Sequence, residues 1–274
     1  MLDDVKTVSA PMGRVLIVAG SDPSGGAGIQ ADIKSVTMLG GYAAAAITAL
    51  TVQNTVAVTD VLPMTPEFVA DQMKAVLSDV GADSIKTGML HNAEVMSVVA
   101  DVIDEIGFEG DVVVDPVMVA SSGAKLIDDD ALDTMRTVLL PKATVVTPNM
   151  PEASLLVGRP VETFEDMTSA AKALIDMGAS AAIVKGGHMA GDMLSDFVLT
   201  DTGESLTFTR KKIDTRSTHG TGCSLASAIA TGLAQGKPLD KAFEAAHTFV
   251  REAIRLAPGF GAGHGPLGHA RVQR

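Results

Sequence analysis

Short β-branched runs recur along this chain: "RVLIVAG", "AAAAITALTV", "DSIKTG", "DVVVDPVMV", "ATVVTPN" and "AAIVKGG". They limit the fold more than any other feature. Strands that are apolar throughout, rather than alternating, are buried on both faces, and such strands belong to parallel sheets. Between most of these runs lie segments with helical spacing. Val69, Met73, Val76, Leu77 and Val80 share one helical face, and so do Leu239, Ala242, Phe243, Ala246, Val250, Ala253 and Ile254. Alternation of this kind predicts an α/β fold with a mainly parallel sheet covered on both sides. One stretch differs: "DFVLT", "DTGE" and "SLTFT" predict an antiparallel hairpin near residues 195–209, with Gly203 in the turn. No linker rich in Ser, Gly or Pro divides the chain, so residues 14–274 are expected to form a single domain after a loose extension, residues 1–13.

Charge and cysteine content narrow the function. The net charge is −12, which disfavours nucleic acid or an anionic membrane surface as the main partner. Cys223 is the single cysteine, which excludes an intrachain disulfide and a multi-cysteine metal site and suits a cytoplasmic setting. No unbroken apolar run reaches the roughly 18 residues of a membrane span. The opening "MLDDVKTVSAPMGR" does not read as a secretory signal.

"GSDPSGGAGIQAD" follows the first strand run, and its "GAGIQA" fits the G-x-G-x-x-A form of a dinucleotide fingerprint. That reading fails on spacing. Five residues separate Gly20 from Gly26, and the next strand ends in Gln53 and Asn54 with no acid until Asp60. A P-loop fails too, because no Lys-Ser/Thr pair follows the glycines. What remains is a glycine turn at the carboxyl end of a strand: either a tight strand-to-helix connection or a loop that lets a ligand approach the backbone.

"STHGTGCSLASAIATGLAQG" says more. Leu225, Ile229 and Leu233 place a helix there, with Gly220, Thr221, Gly222 and Cys223 at its N-terminus. Free N–H groups and the positive end of the helix dipole suit an anion, including a transferring phosphoryl group. A thiol at such a position is expected to have a lowered pKa and could take a proton from a substrate hydroxyl; the alternative is a glycine helix start with a buried cysteine. Four further residues carry two readings each. Asn149 and Glu152 of "TPNMPE" are a capping-box pair, or Glu152 is a carboxylate that orders Mg²⁺ beside phosphates. Asp115 ends a strand before a proline, as a turn former or a functional acid. Lys185 of "VKGGH" is a solvated lysine or a phosphate contact.

Taken together, the motifs resemble the ribokinase-like superfamily and, within it, the hydroxymethylpyrimidine/phosphomethylpyrimidine kinases of thiamine biosynthesis. The matching stretches are "AGSDPSGGAGIQADIK", "ITALTVQNT", "KTGML", "DPVMVASSG", "TPNMPEA", "VKGGH" and "THGTGCSLASAIA", in family order. The resemblance implies a three-layer αβα fold and two ATP- and Mg²⁺-dependent phosphorylations of 4-amino-5-hydroxymethyl-2-methylpyrimidine, first on its hydroxyl and then on the resulting phosphate. It implies that Gly20, Asp32, Gln53 and Met89 hold the pyrimidine. An amide such as Gln53 can donate to a ring nitrogen and accept from an exocyclic amine; in a chain with no ligand to read it would be a polar residue in a strand-to-strand turn. Asn149 and Lys185 would stand on the ATP side, Asp115 and Glu152 at the metal, and Gly220–Cys223 at the transferring group. Family members are often homodimers. Two positions depart from the family pattern: Ser121 replaces a common lysine, and Gly268 replaces the asparagine of a G-H-G-P-x-N-H tail motif. The tail itself, rich in glycine, reads as irregular, and whether it is a frayed terminus is left open. Rival readings are a pyridoxine or pyridoxal kinase, a non-catalytic vitamin-binding protein on this fold and, last, an NAD-binding oxidoreductase.

Overall fold

The computed structural model describes residues 12–118, 129–187 and 191–273. Ser121 and the first eleven residues of the N-terminal extension lie outside the described residues. Within them, strands β1 (Arg14–Ser21), β2 (Tyr42–Gln53), β3 (Val58–Pro63), β4 (Ser84–Thr87), β5 (Asp111–Val114), β6 (Val145–Val146), β7 (Ala181–Val184), β8 (Met193–Thr200) and β9 (Ser205–Lys211) form one sheet. Its order is β3-β2-β1-β4-β5-β6-β7-β8-β9. The helices are α1 (Gly28–Met38), α2 (Pro66–Asp79), α3 (Ala93–Ile106), α4 (Asp129–Thr134), α5 (Met150–Val157), α6 (Phe164–Asp176), α7 (Thr221–Ala234) and α8 (Leu239–Arg255).

Strands β2, β1, β4, β5, β6 and β7 run parallel. They are the six runs read from the sequence. Alternate side chains of β1 serve two cores. Leu16 and Val18 pack with α2, α3, α5 and α6, whereas Val15, Ile17 and Ala19 pack with α1, α7 and α8. The result is three layers, αβα. The expected hairpin is present as β8–β9, with Gly203 at φ 86° in its turn. A second antiparallel strand, β3, was not expected; it pairs with β2 after the turn that follows Gln53. Among the described residues no helix is long and apolar enough to cross a membrane.

The chain winds one way from β1 to β2 and then returns to place β4 on the other side of β1. A crevice at the carboxyl ends of the strands belongs at such a reversal. Gly20, Gly88, Asp115, Asn149 and Lys185 all stand at or just after the ends of β1, β4, β5, β6 and β7, beside that crevice.

The tail settles a reading left open. It is irregular, as expected, but not frayed. The His264 N–H donates to Thr55 O at 2.9 Å, the Gly265 N–H to Arg216 O at 3.1 Å, and the His219 N–H to Gly265 O at 3.1 Å. His269 is buried and lies 2.7 Å from Ser224 Oγ on α7. Burial pushes its imidazole pKa down to about 4, so the ring is neutral at ordinary pH. Gly268 also has a reason here: a Cβ at this position would run into the Leu256 carbonyl, so the side chain of the family's asparagine has no room.

Candidate active site

A cavity of about 750 Å³ opens along the carboxyl edge of the sheet. It joins four regions of different character.

The first region is built by the opening glycine loop, the end of β2 and the segment before α7. Gly20, Thr51, Gln53 and Met89 line it together with Asp22 and His219. Asp22 Oδ1 accepts from the Ser24 N–H at 2.8 Å; Oδ2 accepts from Ser24 Oγ and from the Ala27 N–H, both at 2.9 Å, and stands 2.8 Å from His219 Nε2. Burial pushes the Asp22 carboxyl pKa up, but the hydrogen bonds from His219, Ser24 and Ala27 outweigh it and hold the pKa below its ordinary value. The glycine at the strand end leaves room for its neighbour, since a Cβ on Gly20 would sit 2.5 Å from Met89 Cε and the flexible methionine would have to shift.

The second region is the floor, and it corrects one assignment. Asp32 does not line the cavity. It is completely buried on α1, where its two oxygens accept from Lys86 Nζ at 3.0 and 2.9 Å and Oδ1 accepts from Ser227 Oγ at 2.7 Å. Lys86 is equally buried, yet its head borders the cavity. Burial pushes the Asp32 carboxyl pKa up against the pull of Lys86 and Ser227, while Asp32 offsets the burial of the Lys86 ammonium and leaves its pKa raised. Asp32 therefore supports the floor through Lys86 instead of reaching a substrate.

The third region is the charged end. Helices α2, α3, α5 and α6 begin with side-chain caps from Thr65, Asn92, Asn149 and Thr163, but α1, α7 and α8 have none. The N-termini of α1 and α7 face the cavity. Gly220 enters α7 at φ 80°, and a Cβ there would collide with the carbonyl oxygen of Gly26, so the two glycine turns abut. A Cβ on Gly222 would lie 3.2 Å from Lys185 Nζ and 3.7 Å from Asp115 Oδ2. The amide cup, a cation and a carboxylate thus converge. Lys185 Nζ donates to Asp115 Oδ1 at 3.3 Å, as does Thr147 Oγ1 at 3.3 Å. Asp115 Oδ2 is buried without a hydrogen-bond partner.

Asn149 and Glu152 show the first of their two readings, and their place on the cavity leaves the second open. They form a capping box at α5, with Asn149 Oδ1 accepting from the Glu152 N–H at 2.9 Å and Glu152 Oε2 from the Asn149 N–H at 2.8 Å, and both line the cavity. Burial pushes the Glu152 carboxyl pKa up to about 7, against the pull of Lys185. Burial lowers the Lys185 pKa, but Asp115 and Glu152 more than offset this and leave it raised.

Cys223 corrects a second expectation. Burial pushes its thiol pKa up to about 12, and Lys86, which acts in the opposite direction, does not overcome it. Desolvation outweighs Lys86 and the hydrogen bond with the Gly28 backbone, which favours the thiol over the thiolate.

A hard cation such as Mg²⁺ binds through one or two carboxylates plus substrate phosphates, not through a full protein cage. Among the described residues no cluster of three or more His, Cys, Asp and Glu side chains forms such a cage. The buried, unpartnered Asp115 Oδ2 beside Glu152 fits the open arrangement.

Beyond the charged end, Leu194, Ile213, Val250 and Ile254 make an apolar slot edged by Arg210, Lys212 and Arg251. Sequence reasoning missed that slot, and it missed Asp22 and Lys86. An acid inside a glycine loop was the available signal for Asp22; Lys86 lies in the quoted "KTGML" and carried no local signal of its own.

Comparison with known proteins agrees with this layout. The family model described as Phosphomethylpyrimidine kinase matches residues 22–268. The chain is 44% identical over 261 residues to a hydroxymethylpyrimidine/phosphomethylpyrimidine kinase of Bacillus subtilis strain 168, covering 95% of this chain and 96% of that protein. It is 49% identical over 260 residues to the thiamine biosynthesis bifunctional protein ThiED of Geobacter sulfurreducens, covering 94% of this chain and 52% of that protein, so it spans about half of that relative's length. Among solved structures, the pyridoxal kinase of Staphylococcus aureus in complex with AMP-PCP and pyridoxal superposes with a TM-score of 0.85 at 34% identity, covering 94% of each chain. A phosphomethylpyrimidine kinase of Clostridium difficile superposes with a TM-score of 0.77 at 32% identity, covering 88% of this chain and 99% of that one. With the fold, the motif order and the extent of the match in agreement, the chain belongs to the phosphomethylpyrimidine kinase family.

Proposed function

We propose that this protein transfers the γ-phosphoryl group of ATP to the hydroxyl of 4-amino-5-hydroxymethyl-2-methylpyrimidine and then transfers a second one to the phosphate so formed. One observation carries the reading: the uncapped turn Gly220–Cys223 abuts the opening glycine loop and meets Lys185 and Asp115, in the same cavity as Gln53.

The residues divide the work. Gln53 donates to a ring nitrogen and accepts from the neighbouring amine. The N–H groups of the first turn of α7 hold the transferring group, and Lys185 compensates phosphate charge. ATP occupies the charged end, with its base toward the apolar slot. Asp115 and Glu152 would hold Mg²⁺, which offsets the charge on the β and γ oxygens when bound. In the first transfer the hydroxyl oxygen bonds to phosphorus as the bond to ADP breaks. In a loose transition state the hydroxyl proton leaves late, passing to an oxygen of the transferred phosphoryl group, and the Cys223 sulfur orients the hydroxyl as a weak hydrogen-bond acceptor while it does so. The second transfer uses an ionised phosphate oxygen and needs no base.

Purified protein with MgATP and the pyrimidine should yield monophosphate and then diphosphate, separated by chromatography. Pyridoxal kinase activity is the second reading, favoured by the TM-score of 0.85 to the pyridoxal-bound neighbour; ADP release with pyridoxal and none with the pyrimidine would select it. The homodimer implied by the resemblance would cover Leu50 and Leu62, which pair across β2 and β3 with their side chains exposed. Sedimentation velocity decides that point.

A further inference from the structure

The C-terminal tail runs alongside the amide cup and holds it at both ends. Before the cup, the His219 N–H donates to Gly265 O at 3.1 Å, and His219 pairs with Pro266 in a parallel bridge. After it, Ser224 Oγ meets His269 Nε2 at 2.7 Å, across 45 positions of sequence. The tail is itself anchored: Leu267 is buried in the core shared with α7 and α8, and the Gly268 N–H donates to Ala253 O at 2.8 Å. The Ser224 contact is unusual for this chain. Hydroxyls inside its helices turn back to the carbonyl four residues earlier at Ser35, Ser78, Ser154 and Thr248, and at Thr231 on α7 itself. For Ser224 that carbonyl is Gly220, the first residue of the cup. Ser224 is completely buried, and among the described residues His269 Nε2 is the only partner of its hydroxyl. A buried hydroxyl proton needs an acceptor, so Nε2 accepts it. The neutral ring then carries its proton on Nδ1, in keeping with its hydrogen bond to the Leu267 backbone.

We infer that His269 is a positioning residue: by holding the Ser224 hydroxyl it keeps that hydroxyl off the Gly220 carbonyl, and so fixes the direction of the two N–H groups that the cup leaves open. Those two follow from the hydrogen bonds. The Thr221 N–H goes to Thr218 O at 3.3 Å and the Ser224 N–H to Gly220 O at 2.9 Å, which leaves Gly222 and Cys223, whose N–H groups have no partner among the described residues. A hydroxyl bonded to the Gly220 carbonyl would compete with the Ser224 N–H for it. Bonds of that kind bend helices, and here the bend would fall in the first turn. The turn at Gly220 already abuts the Gly26 carbonyl and has little room to absorb it, so the N–H groups that follow would move. The tail thus sets the cup from outside α7, with Gly265 and Pro266 at its entry and His269 at its exit. The effect on catalysis rests on the kinase reading given above; the direction of the hydroxyl does not.

Kinetics and spectroscopy test this separately. His269→Leu removes the acceptor and keeps most of the volume. It should lower kcat roughly tenfold in both transfers, short of the hundredfold or so that a full ångström of misplacement costs, with the KM for the pyrimidine unchanged. His269→Gln, whose amide oxygen can stand in for Nε2, should restore kcat. Adding Ser224→Ala to His269→Leu should restore it too, because no hydroxyl is left to turn back; a tail that only stabilises the fold predicts a further loss instead. In protein carrying ¹⁵N-labelled glycine, the Gly222 amide resonance, assigned by its loss in Gly222→Ala, should shift in His269→Leu and return in the double variant. If His269→Leu does not fold, His269→Asn, whose shorter amide falls away from Ser224, carries the same expectations. If the unaltered protein phosphorylates the pyrimidine and the loss of the acceptor leaves kcat unchanged, or the double variant falls further, the positioning role is wrong and the kinase reading stands. If the unaltered protein does not phosphorylate the pyrimidine, the kinase reading fails, and the Gly222 resonance still decides the inference: an unmoved resonance overturns it.

Discussion

The two ends of the cavity treat polar atoms in opposite ways. At the acceptor end they are already bonded to protein: Asp22 engages four neighbouring groups, and Gln53 lies between Thr51 and His219. At the charged end, Asp115 Oδ2 has no partner, and no side chain caps α7. A bonded network rigidifies and specifies shape, whereas unpaired buried groups are costly until a ligand completes them. Recognition is prearranged at one end, and at the other the charge is left for nucleotide and metal to complete.

The sharpest probe of that contrast is Cys223, which sits where the two ends meet. Cys223→Ala should slow the first transfer by roughly 10²–10⁴-fold, the usual range for assistance in proton transfer. It should slow the second far less, because the attacking phosphate oxygen carries no proton. Equal losses in both steps, measured from separated mono- and diphosphate, would place Cys223 wholly in the charged end as part of the cup. Asp115→Asn comes next. Both transfers should fall together by about 10²–10³-fold, as expected when one charge-stabilising group is removed, with the pyrimidine KM little changed. A loss confined to the first step would blur the division.

A smaller effect reads the thiol directly. With burial holding the Cys223 pKa near 12, alkylation by iodoacetamide in the ligand-free protein should accelerate about tenfold per pH unit from about pH 7 to 10. A plateau near neutrality would restore the resting thiolate. The smallest effect concerns Glu152, whose pKa burial raises from 4.5 to about 7. The folded protein binds this proton more tightly than the unfolded chain. The group's contribution to stability is therefore fully present below about pH 4.5 and is lost as pH rises through about 7. Glu152→Gln keeps the cap and removes the titration. Its melting temperature relative to the unaltered protein should improve by a few degrees between acid and mildly alkaline pH. No change in that difference would show that Lys185 keeps the carboxylate fully ionised.

The charged end was more legible in the sequence than the acceptor end, and the reason is range. Gly220–Cys223 announces itself through the spacing of Leu225, Ile229 and Leu233 within one helix. The Asp22–His219 bond joins residues 197 apart, and Lys86–Asp32 joins residues 54 apart, so neither leaves a local pattern. An acid in "QADIK" cannot declare from its neighbours whether it meets the cavity or lies one layer beneath it, and Asp32 lies beneath. The fold shows the same rule. The parallel strands are legible because burial on both faces makes them apolar throughout. Strand β3 is an edge strand with no fully buried side chain, so its sequence carries no such mark. The tail stayed undecided because its anchors are backbone bonds to Thr55 and Arg216, which composition does not record.

The contact between Gly220 and the Gly26 carbonyl has a genetic consequence. Every single-base missense change in a glycine codon yields an amino acid with a β-carbon, and at position 220 that carbon meets the opposing turn. A mutagenised library selected for growth without the vitamin should therefore return this codon with synonymous changes alone, while exposed positions on the edge strand β9, such as Leu206, accept replacements freely.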